Sequence, residues 1–312
     1  MKIVVTGALG HIGSRLIREL PQAFPGSEII LLDNLSTQRY CSLFHLPNGG
    51  NYRFIEADVL DHDLVSVFSG AEVVIHLAAI TNAATSFANP AQVEEVNFKG
   101  TERVAHACIE VRSSIIFPST TSVYGTQAGR VDEDCSADEL KPQSPYAESK
   151  LKAEHLLERL GKVAHLRYLI CRFGTICGTS PGMRFHTAVN KFCWQAVMRQ
   201  PLSVWRTAYD QKRPYLDLTD AVRAICFIID RGVFDGKIYN VLTLNATVRD
   251  IVQAIREIVP ETELSFVDSP IMNQLSYEVS SQRFADQGFA FAGDLRRGIA
   301  GTISQLRAAN HV

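Results

Sequence analysis

The fold of this chain is decided by residues 3–13, which read IVVTGALGHIG. Residues 3–5 are apolar and β-branched, in a run that is too short for a helix and suits a strand buried on both faces. Three glycines follow with the spacing G-x-x-G-x-x-G, which lets the backbone turn tightly and approach a ligand. Apolar residues then recur at helical spacing as far as Pro21. The pattern predicts a strand, a glycine turn and a helix that ends at Pro21.

The start of that helix suits a diphosphate, because its unpaired N–H groups and the positive end of its dipole face the turn. A second apolar run, residues 29–32, ends in Asp33, where a dinucleotide site needs a carboxylate for the ribose 2′-OH. A 2′-phosphate beside Asp33 would be repelled by up to roughly 4 kcal/mol at 4 Å, and no arginine immediately follows the strand. We therefore predict a dinucleotide site that prefers NAD to NADP.

The composition excludes several classes of protein. The 312 residues carry a net charge of −2, which gives no basic footprint for nucleic acid or an anionic membrane. No apolar run approaches the roughly 20 residues that cross a bilayer, and the early glycine turn leaves no room for a signal peptide, so a cytoplasmic protein is expected. Seven cysteines occur singly, several of them in apolar runs, and predict reduced core thiols and no metal site.

Strand and helix patterns alternate through the first 180 residues, which indicates a parallel sheet with helices on both faces. Predicted strands cover residues 3–5, 29–32, 52–57, 73–77, 114–118, 166–173 and 238–241, and predicted helices cover 92–111, 146–160 and 221–229. Polar residues fall at the strand ends, where such sheets bind ligands. They are Thr6, Asp33, Asp58, His76, Ser119 and Arg172. His76, in an apolar run, is expected to be a core residue.

These observations predict an α/β protein with a Rossmann-type doubly wound parallel sheet and a smaller C-terminal substrate-binding region. Residues 1–174 are expected to form the NAD-binding domain, with 211–241 returning to it. Residues 175–210 and 242–312 are expected to form the smaller region.

A second informative stretch, residues 144–150, reads SPYAESK. Ser144 and Pro145 form a helix-start signal, and Tyr146 and Lys150 then share one helix face. Bringing a phenol from a pKa near 10 to about 7 needs roughly 4 kcal/mol, which a nearby ammonium and a nicotinamide cation can largely supply. Such a pair often marks only an exposed helix face, but the upstream dinucleotide turn favours a catalytic role.

Between the two stretches, residues 119–125 read STTSVYG and follow a predicted strand. A hydroxyl at this strand end can hydrogen-bond the substrate oxygen that the tyrosinate deprotonates. The alternative is a loop whose hydroxyls only satisfy their own backbone. The neighbouring Tyr146–Lys150 pattern favours the catalytic interpretation.

The order of these motifs resembles the extended short-chain dehydrogenase/reductases, specifically the NAD-dependent epimerase/dehydratase family of nucleotide-sugar enzymes. The likeness covers about the first 240 residues and includes the glycine turn, DNLS at 33–36, DV at 58–59, HLAA at 76–79, VNxxGT at 96–101, STTSVYG at 119–125 and YxxxK at 146–150. The resemblance implies that Tyr146 is base and acid, that Lys150 binds the nicotinamide ribose and that Thr120 is a third catalytic hydroxyl. It also implies a homodimer paired through helices near 93–111 and 146–160.

The glycine turn, the strand ends and the resemblance together predict the cofactor contacts. The predicted contacts to NAD are Gly7, Gly10, His11, Ile12, Gly13, Asp33, Asn34, Ser36, Asp58, Val59, Leu77, Ala78, Ala79, Asn97, Tyr146 and Lys150.

Departures from the family pattern narrow the implied reaction. Dehydratases of the family carry Asp-Glu directly after the catalytic threonine, and the related UDP-glucuronate decarboxylases tend to have a glutamate at the second position. Here these positions are Thr121 and Ser122. The resemblance therefore implies an epimerase, which inverts C4 through a transient 4-keto sugar and consumes no external reductant.

The substrate pocket departs from the family as well. Thr175 replaces the usual substrate-binding asparagine, and the arginine that often grips the second phosphate is not evident in residues 268–273. The resemblance implies Arg213 as a ligand of the substrate diphosphate, because an arginine fork suits phosphate. Further candidate substrate contacts, which are equally interpretable as surface residues, are Arg184, His186 and Lys191; Thr121 and Ser122 complete the set.

Two other functions stay open. One is an NAD-dependent oxidoreductase of the same family, such as a ketosugar reductase, which would release its cofactor in every turnover. The other is an NAD-binding scaffold without chemistry, which would have no need of an intact Thr120, Tyr146 and Lys150.

Overall fold

Seven parallel strands form the central sheet, and helices cover both of its faces. The computed structural model describes residues 1–125, 127, 129–268 and 277–308. Its strands are β1 (Lys2–Thr6), β2 (Glu28–Asp33), β3 (Asn51–Glu56), β4 (Val73–His76), β5 (Ser114–Thr120), β6 (Arg130–Val131), β7 (Tyr168–Phe173), β8 (Thr175–Cys177), β9 (Leu202–Trp205), β10 (Lys212–Asp217), β11 (Ile238–Val241), β12 (Leu244–Thr247), β13 (Leu264–Val267) and β14 (Glu278–Val279). Its α-helices are α1 (His11–Ala23), α2 (Leu64–Phe68), α3 (Pro90–Val93), α4 (Gly100–Val111), α5 (Pro145–Ala164), α6 (Ala188–Val197), α7 (Leu218–Arg231), α8 (Val248–Arg256), α9 (Gln282–Ala285) and α10 (Leu295–Arg307).

The central sheet has the strand order β11-β7-β5-β4-β1-β2-β3, and every neighbouring pair is parallel. The chain moves outward from β1 in one direction through β2 and β3, and in the other from β4. A crevice therefore opens between the carboxyl ends of β1 and β4, which is where such sheets bind ligands. The predicted Rossmann-type doubly wound sheet is confirmed.

Alternate residues of β1 face two different apolar layers. Ile3 and Val5 pack against α1 and α7 on one side of the sheet, and Val4 packs against α2, α4 and α5 on the other. All three side chains are fully buried. Burial on both faces explains why the strand reads as a continuous apolar run.

Helix α1 continues through Pro21 to Ala23, so the expectation that it ends at Pro21 is wrong. A proline leaves the carbonyl four residues earlier without its N–H donor. That carbonyl belongs to Ile17, and the Tyr52 hydroxyl on β3 donates to it at 2.7 Å. A tertiary hydrogen bond thus replaces the missing helical one.

The predicted helix 92–111 is continuous from Pro90 to Val111, but its middle is π-helical. The π-helical turn covers Glu94–Lys99 and separates α3 from α4. Such turns are rare and occur frequently at functional sites. This one carries Asn97, which is buried at the side of the crevice.

The smaller region is built around a three-stranded sheet of order β12-β10-β8. Helices α6, α8 and α10 form a separate apolar layer with it. Strand β10 lies in this sheet rather than in the central one, whereas residues 218–241 supply α7 and β11 to the central part. Only the later part of the segment 211–241 therefore joins the main sheet.

Within the described ranges, no helix combines the length and the apolar character required to span a membrane.

Candidate functional site

The glycine turn at the end of β1 fits closely against its neighbours. Gly7 has φ +65°, and a Cβ added there would lie 2.6 Å from the backbone nitrogen of Ala78. A Cβ on Gly13 would lie 2.6 Å from the carbonyl oxygen of Ala8. Both glycines are thus required by close backbone packing.

Gly10 is packed less tightly than Gly7 and Gly13. The nearest atoms to a Cβ added there are the Gly7 carbonyl oxygen at 3.2 Å and Arg39 Nη1 at 4.0 Å. Gly10 is also the N-cap of α1, and no side chain caps the helix there. The free N–H groups of the first turn fit the diphosphate of a dinucleotide.

Arg39 lies beside the glycine turn and was not predicted from the sequence, where only the residues immediately after Asp33 were considered. Burial lowers the pKa of Arg39, and the charge of Asp33 acts in the opposite direction. A short 3-10 helix, Tyr40–Leu43, packs against the glycine turn, where the Ser42 hydroxyl donates to the Leu9 carbonyl at 2.9 Å. This long-range contact gives no signal in a local sequence window.

Two predicted NAD contacts, Asp33 and Asp58, are carboxylates at the ends of neighbouring strands. Asp33 accepts hydrogen bonds from the backbone nitrogens of Leu9 and Leu35, both at 3.0 Å. Each of its oxygens keeps a lone pair for a ligand hydroxyl. Asp58 accepts from the Asn34 side chain at 2.7 Å. These contacts hold the two carboxylates beside the glycine turn.

The other predicted cofactor contacts differ in their exposure and in their neighbours. Leu77, Ala78 and Ala79 follow β4 and are half-buried beside the crevice, whereas Val59 is buried and Ser36 is exposed. The half-buried Ile12 packs against the core of the sheet, and the His11 ring lies 2.9 Å from the Gly178 carbonyl oxygen. Burial lowers the pKa of His11 to about 4, so its ring is neutral and links the turn to the smaller region.

The three predicted catalytic residues come together between α5 and β5. Ser144 caps α5 by accepting from the Ala147 nitrogen at 3.2 Å, and Pro145 occupies its first turn. Tyr146 hydrogen-bonds with the Thr120 side chain. Lys150 Nζ donates to the Pro118 carbonyl at 2.9 Å, and its side chain is 3% exposed.

The pKa values of the Tyr146–Lys150 pair are displaced by their surroundings. Burial raises the pKa of Tyr146, whereas the charge of Arg184 and the hydrogen bond with Thr120 oppose that rise. Burial lowers the pKa of Lys150 to about 7, with Glu154 acting in the opposite direction. A phenol one helical turn from a buried ammonium can remove a proton from an alcohol and return it.

Asn97 on the π-helical turn and His76 on β4 are buried near this pair and have hydrogen-bond partners of their own. The Asn97 amide bonds to both backbone groups of Ile80, at 2.8 and 2.9 Å, and donates to the Ser149 hydroxyl at 3.1 Å. The His76 ring nitrogens lie 2.8 and 3.1 Å from the hydroxyls of Thr6 and Thr101. His76 is therefore a satisfied core residue, as predicted.

Tyr277 adds a second phenol on the substrate side and was missed by the sequence analysis. Its hydroxyl hydrogen-bonds with Thr121 and Ser122, and burial raises its pKa. The backbone nitrogen of Tyr277 donates to the Lys212 carbonyl at 3.1 Å. Because the residue reaches the site through strand pairing far along the chain, no local motif marks it.

Two arginines of the substrate side have buried nitrogens with no hydrogen-bond partner among the described residues. They are Nε and Nη2 of Arg213 and Nε of Arg184. The charge of Arg213 acts on Tyr277 and that of Arg184 acts on Tyr146. An unpaired buried cation is costly, so both sites fit an anionic ligand.

The remaining predicted substrate residues have fewer contacts with the part of the site around Tyr146 and Arg213. Thr175 is half-buried at the start of β8, and His186 is exposed within electrostatic range of His11. Lys191 lies on α6, and no contact in the described part of the chain ties its side chain to Tyr146 or Arg213. Most of the segment 268–273 lies outside the described residues.

The glycine turn, the paired carboxylates and the Tyr146–Lys150 pair meet at one edge of a parallel sheet, which defines a short-chain dehydrogenase/reductase type of protein. The model of the "NAD dependent epimerase/dehydratase family" matches residues 3–241, and the chain belongs to this family. The family and the fold, both predicted from the sequence, are confirmed, and so is the prediction of an NAD-dependent enzyme.

Three relatives illustrate the range of the family. An uncharacterized UDP-glucose epimerase, YtcB, of Bacillus subtilis is 31% identical, with 77% of this chain and 76% of the relative covered. A dTDP-D-glucose 4,6-dehydratase of Bos taurus is 28% identical, with 99% and 90% covered. The crystal structure of a Bacillus cereus UDP-glucuronic acid 4-epimerase in complex with UDP-glucuronic acid and NAD is 26% identical and has a TM-score of 0.88, with 99% and 100% covered.

Proposed function

We propose that this chain inverts C4 of a nucleotide sugar through a transient 4-keto intermediate. The observation that carries the proposal is the set of side chains at the end of β5. Thr120 hydrogen-bonds with Tyr146, Lys150 is buried one helical turn from that tyrosine, and positions 121 and 122 carry hydroxyls. This set can move a proton at a sugar hydroxyl and holds no carboxylate for elimination of water.

The cofactor side of the crevice supports NAD. The uncapped start of α1 and the carboxylate of Asp33 fit a diphosphate and a ribose, and we propose that the contacts predicted from the sequence hold them. When bound, NAD supplies the two-electron oxidation at C4 and the reverse reduction, so no external reductant is consumed.

Three side chains of this protein would bind the 4-hydroxyl group, remove its proton and stabilise the resulting phenolate. Thr120 holds the 4-hydroxyl oxygen, and Tyr146 takes its proton while the Lys150 charge stabilises the phenolate. The keto sugar must turn over within the pocket before Tyr146 returns the proton to O4. Hydroxyl groups at Thr121, Ser122 and Tyr277 offer weak, reversible contacts that permit this rotation.

The dehydratase relatives make elimination of water the principal competing reaction. Elimination needs an acid and a base beside the reacting carbons. Positions 121 and 122 instead carry a threonine and a serine, both hydrogen-bonded with Tyr277. This hydroxyl cluster supports epimerisation over dehydration.

The two arginines with unpaired buried nitrogens, Arg213 and Arg184, indicate which kind of substrate this site binds. We propose that Arg213 binds the substrate diphosphate and that Arg184, near Tyr146, binds the sugar. An anionic sugar would pair with the Arg184 guanidinium. The Bacillus cereus structure holds UDP-glucuronic acid, which makes this nucleotide sugar the first candidate.

The test is incubation of the purified protein with UDP-glucuronic acid, UDP-glucose and dTDP-glucose, followed by proton NMR. We expect a product with the inverted H4 couplings of the 4-epimer and no stoichiometric formation of NADH. A 4-keto-6-deoxy product would contradict the proposal, and so would stoichiometric NADH. Tyr146→Phe should abolish the reaction, while Tyr40→Phe, at an exposed tyrosine, should leave it unchanged.

The assembly and the compartment are further proposals. We propose a homodimer through α4 and α5, whose outer faces expose His106, Lys152 and His155. Light scattering tests this, and a monomeric mass would contradict it. All seven cysteines are free thiols, which supports work in the reducing cytoplasm.

A further inference from the structure

Helix α5 carries a third ionisable residue on the face of Tyr146 and Lys150. Glu154 follows them at distances of eight and four residues, so the three side chains line up along one side of the helix. Glu154 is fully buried, with 0% of its surface exposed. A buried carboxylate is costly unless it is paired and hydrogen-bonded, so its partners matter.

The partners of Glu154 come from two strands of the central sheet. Arg172 on β7 donates from Nη2 at 2.7 Å and from Nε at 3.1 and 3.2 Å. The Ser119 hydroxyl on β5 donates to Glu154 Oε1. Both carboxylate oxygens are thereby occupied, and the guanidinium of Arg172 lies 4.9 Å from the centre of the Tyr124 ring.

Ser119 connects this ion pair to the reacting groups. The preceding residue, Pro118, accepts the hydrogen bond from Lys150 Nζ, and the following residue, Thr120, hydrogen-bonds with Tyr146. Three successive residues of β5 are therefore bonded to three successive turns of α5. A slip of the helix along the strand would break all three contacts together.

Charge gives Glu154 a second effect. Two buried cations lie near its carboxylate. Lys150 is one helical turn earlier on α5, and Arg172 forms the ion pair with Glu154. Of the other titratable groups around Lys150, Tyr146 lies one helical turn earlier on the same helix, and His76 lies on β4, where burial lowers its pKa to about 3 and the charge of Lys150 acts in the same direction. Near Arg172 lie the Tyr124 phenol and the Cys135 thiol, both of which burial keeps protonated.

We propose that Glu154, through Ser119 and Arg172, is a positioning residue that fixes α5 against β5 and keeps the Lys150 ammonium charged. The inference rests on the proposed function, because it assigns the carboxylate a role in the Tyr146–Lys150 pair. Glu154 itself does not reach the substrate: its side-chain oxygens are filled by Arg172 and Ser119.

Two variants distinguish the positioning of α5 against β5 from the effect of the Glu154 charge on Lys150. Ser119→Ala keeps the Glu154–Arg172 ion pair and removes the bond to the strand. Glu154→Gln keeps an acceptor and removes the negative charge. Glu148→Gln, at an exposed carboxylate of the same helix, is the matched control.

We expect both variants to lower kcat by roughly tenfold to a hundredfold, equivalent to one to two pKa units, with KM and NAD affinity changed less than about threefold. Glu154→Gln should also narrow the pH profile. Without the carboxylate, Lys150 loses its proton at lower pH and Tyr146 ionises at higher pH. A folded Glu154→Gln protein with an unchanged kcat and pH profile would overturn the proposal, as would a loss of stability alone.

Removal of one partner of a buried ion pair can prevent folding. If Glu154→Gln does not fold, the double variant Glu154→Gln with Arg172→Met removes both charges and takes its place. A readout that needs no substrate is the ultraviolet titration of Tyr146 in the NAD complex, obtained as the difference from Tyr146→Phe. A higher Tyr146 pKa in the variant supports the role of Glu154 even if no sugar nucleotide is epimerised, and an unchanged value contradicts it.

Discussion

Replacement of Lys150 by methionine removes the buried cation beside Tyr146 and keeps an unbranched side chain. Methionine is unbranched and apolar, and it fills the space where the ammonium now lies 4.4 Å from the centre of the Phe117 ring. The bond to the Pro118 carbonyl is lost with the charge. The variant therefore tests whether the ammonium is what makes Tyr146 a base near neutral pH.

The expected loss follows from the ionisation of the phenol. At the ordinary pKa of a phenol, about 10, only one molecule in roughly 10³ is ionised at pH 7. Burial raises the pKa of Tyr146, so the ordinary value is a lower limit for the variant. We expect kcat at pH 7 to fall by about 10³-fold or more and to rise nearly tenfold per pH unit above 7.

The assay is the initial rate of 4-epimerisation, followed by NMR between about pH 6 and 9, with NAD affinity measured alongside. Lys162→Met is the matched control, because Lys162 is exposed in the last turn of the same helix. A loss of less than about tenfold at pH 7 would refute the reasoning. So would a large loss with the pH profile of the wild type.

Three further predictions concern other parts of the structure. Asp33→Ala should weaken the preference for NAD over NADP, and an unchanged ratio of the two dissociation constants would contradict that role. Tyr277→Phe removes the phenol bonded to residues 121 and 122 and should raise KM for the sugar nucleotide several-fold with NAD affinity intact; equal KM values would exclude Tyr277 from the pocket. Tyr52→Phe leaves the Ile17 carbonyl without its donor and should lower the free energy of unfolding in urea by about 1–3 kcal/mol; no change would mean that the hydrogen bond does not replace the missing helical one.

The parts of the fold that were predicted correctly are specified by sequence patterns within a few neighbouring residues. The glycine spacing, the apolar run ending in Asp33 and the Ser144–Pro145 helix start each act within a few residues of the structure that they specify. The end of α1 was mispredicted because Tyr52, distant in sequence, stabilises the carbonyl that Pro21 leaves free. The position of β10 in the smaller sheet depends on pairing with β8 and β12, which no local pattern records.

The same distinction applies to the candidate site. Arg39 and Tyr277 were missed because chain reversal and strand pairing bring them to the crevice from distant positions. Glu154 could have been found, because its spacing from Tyr146 and Lys150 repeats that of the pair itself. The roles of the predicted site residues stay predictions until the variants are measured.

The most direct test of transient oxidation at C4 uses UDP-glucuronic acid carrying deuterium at C4. The protein is incubated with this substrate in ordinary water, and the product is analysed by NMR and mass spectrometry. If the hydrogen leaves C4 and returns to the opposite face within one closed site, the 4-epimer retains deuterium at C4. Loss of the label to water, or inversion at another carbon with the C4 label undisturbed, would contradict the account.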